Sequence, residues 1–110
     1  MPLFINARTD LFLKAAKDVD HASLMAEALA RASAYQQAGA DGFFVPGLTA
    51  PDLVRQICEN VALPVNVMMR GALGSPKEAA TLGVSRVSYG PAPYVTAMKD
   101  IATHAAQIEA

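Results

Sequence analysis

Four times in 110 residues a short apolar run gives way to a polar turn and then to a helical pattern, and this order of elements limits the fold more than any single motif does. Leu3-Phe4-Ile5-Asn6-Ala7 has no helical period and is predicted as a strand, with Arg8-Thr9-Asp10 as its turn. Over residues 21–38, Leu24, Ala28, Ala32 and Tyr35 recur at spacings of three and four. Asp20 is placed to cap this helix, and Gly39 suits a left-handed C-cap. A second strand is predicted over 42–46, closed by Pro46-Gly47. Thr49-Ala50-Pro51-Asp52 then opens a helix, with Thr49 read as the cap, a proline in the first turn, and Leu53, Val54, Ile57 and Val61 on the apolar face.

The cycle repeats with a strand over 64–68 and a Ser75-Pro76-Lys77-Glu78 capping box, whose short helix ends at Gly83. A fourth strand, over 84–89, leads through Gly90-Pro91 into a helix with Tyr94, Met98, Ile101 and Ala105 on one side. Helix end, glycine, strand and breaker recur in Ala38-Gly39-Ala40-Asp41-Gly42-Phe43-Phe44-Val45-Pro46 and in Leu82-Gly83-Val84-Ser85-Arg86-Val87-Ser88-Tyr89-Gly90, a weak internal repeat. Each crossover helix returns the chain to the same end, so the sheet is expected to be parallel. Two architectures fit: four units of a (β/α)8 barrel, or a small open doubly wound sheet. A closed barrel takes roughly 200 to 250 residues, so the first would be a half. No G-x-G-x-x-G fingerprint follows the first strand, which weakens the second.

Composition narrows the function classes. Hydrophobic residues make up 53% and charged residues 17%, a globular balance, and a net charge of −1 without a basic cluster argues against nucleic acid as a partner. Apolar stretches break well short of the ~20 residues that span a bilayer, so no membrane role is expected. The run from Met1 to Arg8 lacks signal-peptide order, and the lone Cys58 reads as a small buried hydrophobe, so a reducing cytoplasm is the expected setting.

Ligands of parallel α/β folds lie at the carboxyl ends of the strands. The residues there are Arg8, Thr9 and Asp10; Pro46 and Gly47; Asn66, Met68 and Arg70; and Ser88, Tyr89 and Gly90. Strand alternation puts Asn6 with Arg8, and Asn66 with Met68 and Arg70, on common sides. An asparagine inside an apolar strand is costly unless paired, so Asn66 needs a ligand or a structural hydrogen bond. The donor fork of Arg8 matches a carboxylate or phosphate, although a pairing with Asp10 would equally explain it. Asp10 reads better as the group orienting Arg8 than as a general base. Arg70 reads as a solvated arginine on a glycine-flanked segment, and His21 and His104 as surface residues. No catalytic residue, nucleophile elbow or metal-binding cluster can be named, so a free-standing catalyst would be short of parts.

Taken in order, Phe4-Ile5-Asn6-Ala7-Arg8-Thr9-Asp10, Ala34-Tyr35 with the run from Ala38 to Gly47, Leu63-Pro64-Val65-Asn66-Val67, and the run from Leu82 to Pro91 resemble strands five to eight of the isocitrate lyase/phosphoenolpyruvate mutase superfamily. The resemblance covers nearly the whole chain. It points to the phosphonomutase-like branch, which also includes 2-methylisocitrate lyase, oxaloacetate decarboxylase and phosphonopyruvate hydrolase. It implies a single partial domain over 1–110, the parallel (β/α)4 half of a TIM-type (β/α)8 barrel. It also implies Mg²⁺-dependent cleavage of a carbon-carbon or carbon-phosphorus bond in a small 2-oxo or 2-hydroxy carboxylate, through an enolate.

By motif match, Arg8 corresponds to the arginine that binds a substrate carboxylate or phosphoryl group, and Asn66 to the asparagine that contacts the substrate acid. Ser88 and Gly90 fall on the eighth-strand rim, and Asp10 beside Arg8. The family's acidic metal ligands and its catalytic cysteine loop come from earlier strands, and Cys58 does not match that cysteine. No metal ligand is therefore expected in this chain, and little catalysis from it alone. A half barrel would also leave two strand edges and its lumen face open. Completion by a second copy or by a missing N-terminal half is expected, and a non-catalytic self-associating α/β module is the alternative.

Overall fold

A computed structural model describes residues 3–109 of the chain; Met1, Pro2 and Ala110, at the ends of the expected domain, lie outside the described residues. Four strands, β1 (Asn6–Arg8), β2 (Gly42–Phe44), β3 (Val65–Met68) and β4 (Arg86–Ser88), form one parallel sheet in the order β1-β2-β3-β4. The intervening helices are α1 (Met25–Gln37), α2 (Pro51–Asn60) and α3 (Pro76–Thr81), and α4 (Ala92–Glu109) follows the last strand. A doubly wound sheet would reverse its strand order at a switch point. This sheet never does, and the sequential order is that of a partial barrel.

The sheet is covered on one side. Phe43, Val45, Val65 and Val67 alternate onto that side and are almost wholly buried, beneath Leu53, Val54 and Ile57 of α2 and Met25, Ala28 and Ala32 of α1. Alanines at two of the α1 contact positions allow close approach, and the Tyr35 ring meets Phe43 with centroids 6.0 Å apart. Each large buried side chain contributes about 1.5–3 kcal/mol relative to exposure, so this layer carries most of the stability. Leu48 and Leu73 extend it under the loops.

Several local expectations shift. β1 begins at Asn6, and Leu3, Phe4 and Ile5 are exposed, because β1 pairs only with β2 and nothing packs over its entry. Asp41 holds that entry: its carboxylate accepts from the Ile5 N–H, and its own N–H donates to the Ile5 carbonyl. Arg8 consequently lies in the strand rather than in the turn. The first helix opens with a 3-10 turn over His21–Leu24, where Asp20 caps the Ala22 N–H as its side chain suggests. At α2 the N-cap is Ala50, with no side-chain cap, and not Thr49; Pro51 occupies the first turn, where no donor is lost. Ser75 caps α3 by accepting from the Glu78 N–H, and Gly83 then turns the chain with φ +103°.

His21 is not a free surface histidine, since its ring packs on Phe12 at 5.3 Å. Cys58 is only half-buried, and burial pushes its thiol pKa up, with the charge of Glu59 adding to the effect. The largest departure is α4: every residue over 92–108 is exposed, including Tyr94, Met98 and Ile101. The radius of gyration is 16.6 Å, against about 13 Å for a compact chain of 100 residues, as a projecting helix requires. Among the described residues no helix is long and apolar enough to cross a membrane.

Candidate functional site

The side of the sheet opposite the helices bears Asn6, Arg8, Phe44, Asn66, Met68, Arg86 and Ser88. Strand pairing aligns Arg8 with Phe44, Phe44 with Asn66, and Asn66 with Arg86, so these four form one rung across the sheet. Arg8 and Asn66 therefore share a face, but Phe44 stands between them. With strands ~4.8 Å apart, they project from positions about 10 Å from each other.

Arg8 ends β1 and is half exposed. Its Nε donates to Asp10 Oδ1 at 2.5 Å, and its guanidinium carbon lies 5.8 Å from the Phe44 ring centroid, within cation-π range. Asp10 also has Lys14 Nζ at 3.9 Å. Among the described residues no protein acceptor meets Nη1 or Nη2 of Arg8. The end of the fork is thus free while its side is held, the geometry for end-on bidentate binding of a carboxylate or phosphoryl group. The expected pairing of Arg8 with Asp10 and the reading of Arg8 as an anion holder are compatible.

Arg8, Phe44, Met68, Arg70, Ser88 and Gly90 line an open cleft of 320 Å³ with Leu13, Pro46 and Pro91. Ser88 and Gly90 shape its far wall: Ser88 Oγ accepts from the Gly90 N–H at 3.2 Å, and Gly90 turns with φ +53° hard against Met68 Sδ. On the near side Gly47, at φ +89°, brings its loop so close to Leu13 that a Cβ would sit 2.7 Å from the Leu13 backbone. Arg70, read from sequence as solvated, lines this cleft as well. Its glycine-flanked place after a strand was the available signal.

Asn66 does not line that cleft. It borders a separate depression of 240 Å³ with Phe4, Asn6, Ser85 and Arg86. The residue is 7% exposed, and its buried Oδ1 has no hydrogen-bond partner. Neither of the two satisfactions expected from sequence is supplied by the described residues. An orphaned buried acceptor costs about 1–3 kcal/mol, so this atom calls for a donor from outside the chain.

Thr9, between Arg8 and Asp10, is 1% exposed, and its Oγ1 accepts from Arg31 Nη1 at 2.9 Å and from the Leu11 N–H at 3.3 Å. Sequence reasoning passed over Arg31 because it lies 22 residues away on a helix with no motif around it. Among the described residues no three His, Cys, Asp or Glu side chains come together to hold a metal. The Mg²⁺ that the resemblance implies does not fit the donors among the described residues.

The family model for phosphoenolpyruvate phosphomutase matches residues 1–109. An uncharacterised Mycobacterium tuberculosis protein is 36% identical over 105 residues, 96% of this chain but 38% of its own length. An oxaloacetate decarboxylase of Pseudomonas fluorescens is 35% identical over 98 residues, 86% of this chain and 34% of the relative. Among solved structures, a provisionally assigned phosphonomutase from Burkholderia cenocepacia superimposes with TM-score 0.85 at 50% identity, covering 94% of this chain and 42% of that one. A provisionally assigned lyase/mutase from the same organism gives 0.85 at 34% identity, covering 98% and 38%. The chain thus spans between a third and a half of the length of these four relatives. With the model match running through all four strands, the chain belongs to the phosphoenolpyruvate phosphomutase family, as four βα units of a fold that its relatives carry at greater length.

Proposed function

We propose that this chain is the carboxylate-holding part of a lyase or phosphonomutase-like catalyst for small 2-oxo or 2-hydroxy acids, active only together with the portion of the fold it does not span. The observation that carries this is Arg8, which lines the cleft with its Nε held by Asp10 and with no acceptor on either terminal nitrogen among the described residues. Arg8 takes the substrate carboxylate end-on, Asp10 keeps the fork in plane, and Phe44 and Met68 give the cleft an apolar wall beside it. Asn66 faces the interior that the missing portion would fill, and its Oδ1 accepts a donor from that portion or from substrate. Ser88 and Gly90 shape the rim. Breaking a carbon-carbon or carbon-phosphorus bond through an enolate, and the Mg²⁺ that supports it, both belong to the assembled whole, in keeping with the oxaloacetate decarboxylase and phosphonomutase names among the relatives. A cytoplasmic setting fits the lone thiol.

The test is calorimetric titration of the chain with pyruvate and with oxaloacetate. Arg8→Ala is expected to weaken binding about ten-fold or more, the loss of a charge-assisted contact. Equal heats from both proteins would reject the reading. A second reading, a self-associating α/β module without catalysis, is favoured by one observation: the bare apolar residues Tyr94, Val95, Met98 and Ile101 on α4. Light scattering separates them. A stable dimer that ignores pyruvate supports the module, and a ligand response abolished by Arg8→Ala supports the catalyst part.

A further inference from the structure

We propose that Arg31 is a positioning residue for the anion site, acting on Arg8 through the buried hydroxyl of Thr9. The inference rests on the reading of Arg8 as the carboxylate holder. Arg8 and Asp10 flank Thr9 in sequence, and the Arg8–Asp10 bond forms only if the backbone of this tripeptide keeps both side chains on one side. The Thr9 side chain provides that constraint. It points the other way, toward α1, is 1% exposed, and is gripped by Arg31 Nη1 at 2.9 Å.

Arg31 is itself held. Its Nη2 donates to Glu27 Oε1 at 2.8 Å one helical turn earlier, so the grip originates on a 13-residue helix and not on a mobile loop. Thr9 Oγ1 also accepts from the Leu11 N–H at 3.3 Å, which sets the turn just beyond Asp10, while the Thr9 N–H donates to the Phe44 carbonyl at 3.0 Å. Phe44 is the ring under the Arg8 guanidinium. The chain of contacts runs Glu27, Arg31, Thr9, then Arg8 with Asp10. A buried hydroxyl without such a donor would be costly, so the link is maintained by the fold and does not depend on bound ligand.

The experiment reads Arg8 itself, in the ligand-free chain. Nitrogen-15 NMR follows the exchange with water of the Arg8 Nε proton, which the Asp10 carboxylate protects, while the backbone amide spectrum reports the fold. Arg31→Gln and Thr9→Val are each expected to speed that exchange about five-fold, the equivalent of one lost hydrogen bond, with the amides of β2 and β3 unmoved. Thr9→Ser, which keeps the hydroxyl, is expected to remain near wild type. Unchanged exchange in Arg31→Gln with the fold intact would overturn the proposal. Collapse of the amide spectrum in both Arg31→Gln and Arg31→Lys would also overturn it, because Arg31 would then be a determinant of the fold at large. Pyruvate, added afterwards, tests the function separately: wild type blind to pyruvate rejects the carboxylate reading but leaves the exchange result standing.

Discussion

On the helix-covered side of the sheet Phe43, Val45, Val65 and Val67 are sealed beneath α1 and α2, whereas the other side carries Asn6, Arg8, Asn66, Arg86 and Ser88 outside that core, Asn66 alone of these five being buried. Both sides are built by the same strands, since successive residues point opposite ways. The difference teaches where each task lies. The covered side is chemically plain and geometrically tight, and it fixes the strands. The bare side keeps a cation with a free fork, a buried acceptor without a donor and a second arginine, groups that a closed core would not tolerate unpaired. Stability and binding are divided between the two sides of a single layer.

This contrast can be broken by mutation. The largest effect is expected from Ile57→Ala, which should cost about 2–5 kcal/mol in urea unfolding because Ile57 is wholly buried. Arg86→Ala, on the bare side and exposed, should change stability by less than about 0.5 kcal/mol. Equal costs would mean that the bare side is also core. Gly47→Ala comes next, at about 1–3 kcal/mol, since it combines φ +89° with a Cβ 2.7 Å from the Leu13 backbone; a neutral result would mean that the two rim loops are not locked together.

Asn66→Leu sharpens the comparison by its sign. Removing an orphaned acceptor should raise stability by about 1 kcal/mol, and a loss would imply that the amide is already satisfied. The smallest effect concerns Cys58. Burial and Glu59 raise its folded pKa, so the folded chain keeps the proton longer than the unfolded one. Its contribution is present in full below the unfolded pKa and is lost as pH rises from there through the folded pKa. Unfolding free energy should therefore fall in that alkaline window, and less so in Cys58→Ala.

Much of the covered side was legible in the sequence, because the short apolar runs in 42–46 and 64–68 and the spacing of Leu53, Val54 and Ile57 are burial patterns that one dominant force imposes. Ser75 and Asp20 were legible as caps for a similar reason: their partners are two or three residues away. Thr49 misled because Ala50-Pro51 can start a helix by proline geometry alone. The exposure of Leu3, Phe4 and Ile5 and of α4 was not legible, since apolarity shows that a surface wants a partner and not whether this chain supplies one. At the site, strand parity grouped Asn6 with Arg8 and Asn66 with Met68, but only the register between strands put Arg8 and Asn66 on a common face. The interposed Phe44 followed only from register, the Arg31–Thr9 contact only from packing of α1, and the place of Arg70 only from the course of the loop after β3.

The most direct measurement of this division of labour is a pyruvate titration followed by amide chemical shifts across both sides of the sheet. Shifts confined to the rim around Arg8, Ser88 and Gly90, with Phe43 and Val65 unmoved and the response lost in Arg8→Ala, are expected. Shifts absent at millimolar pyruvate, or unaltered in Arg8→Ala, would contradict the assignment of binding to the bare side.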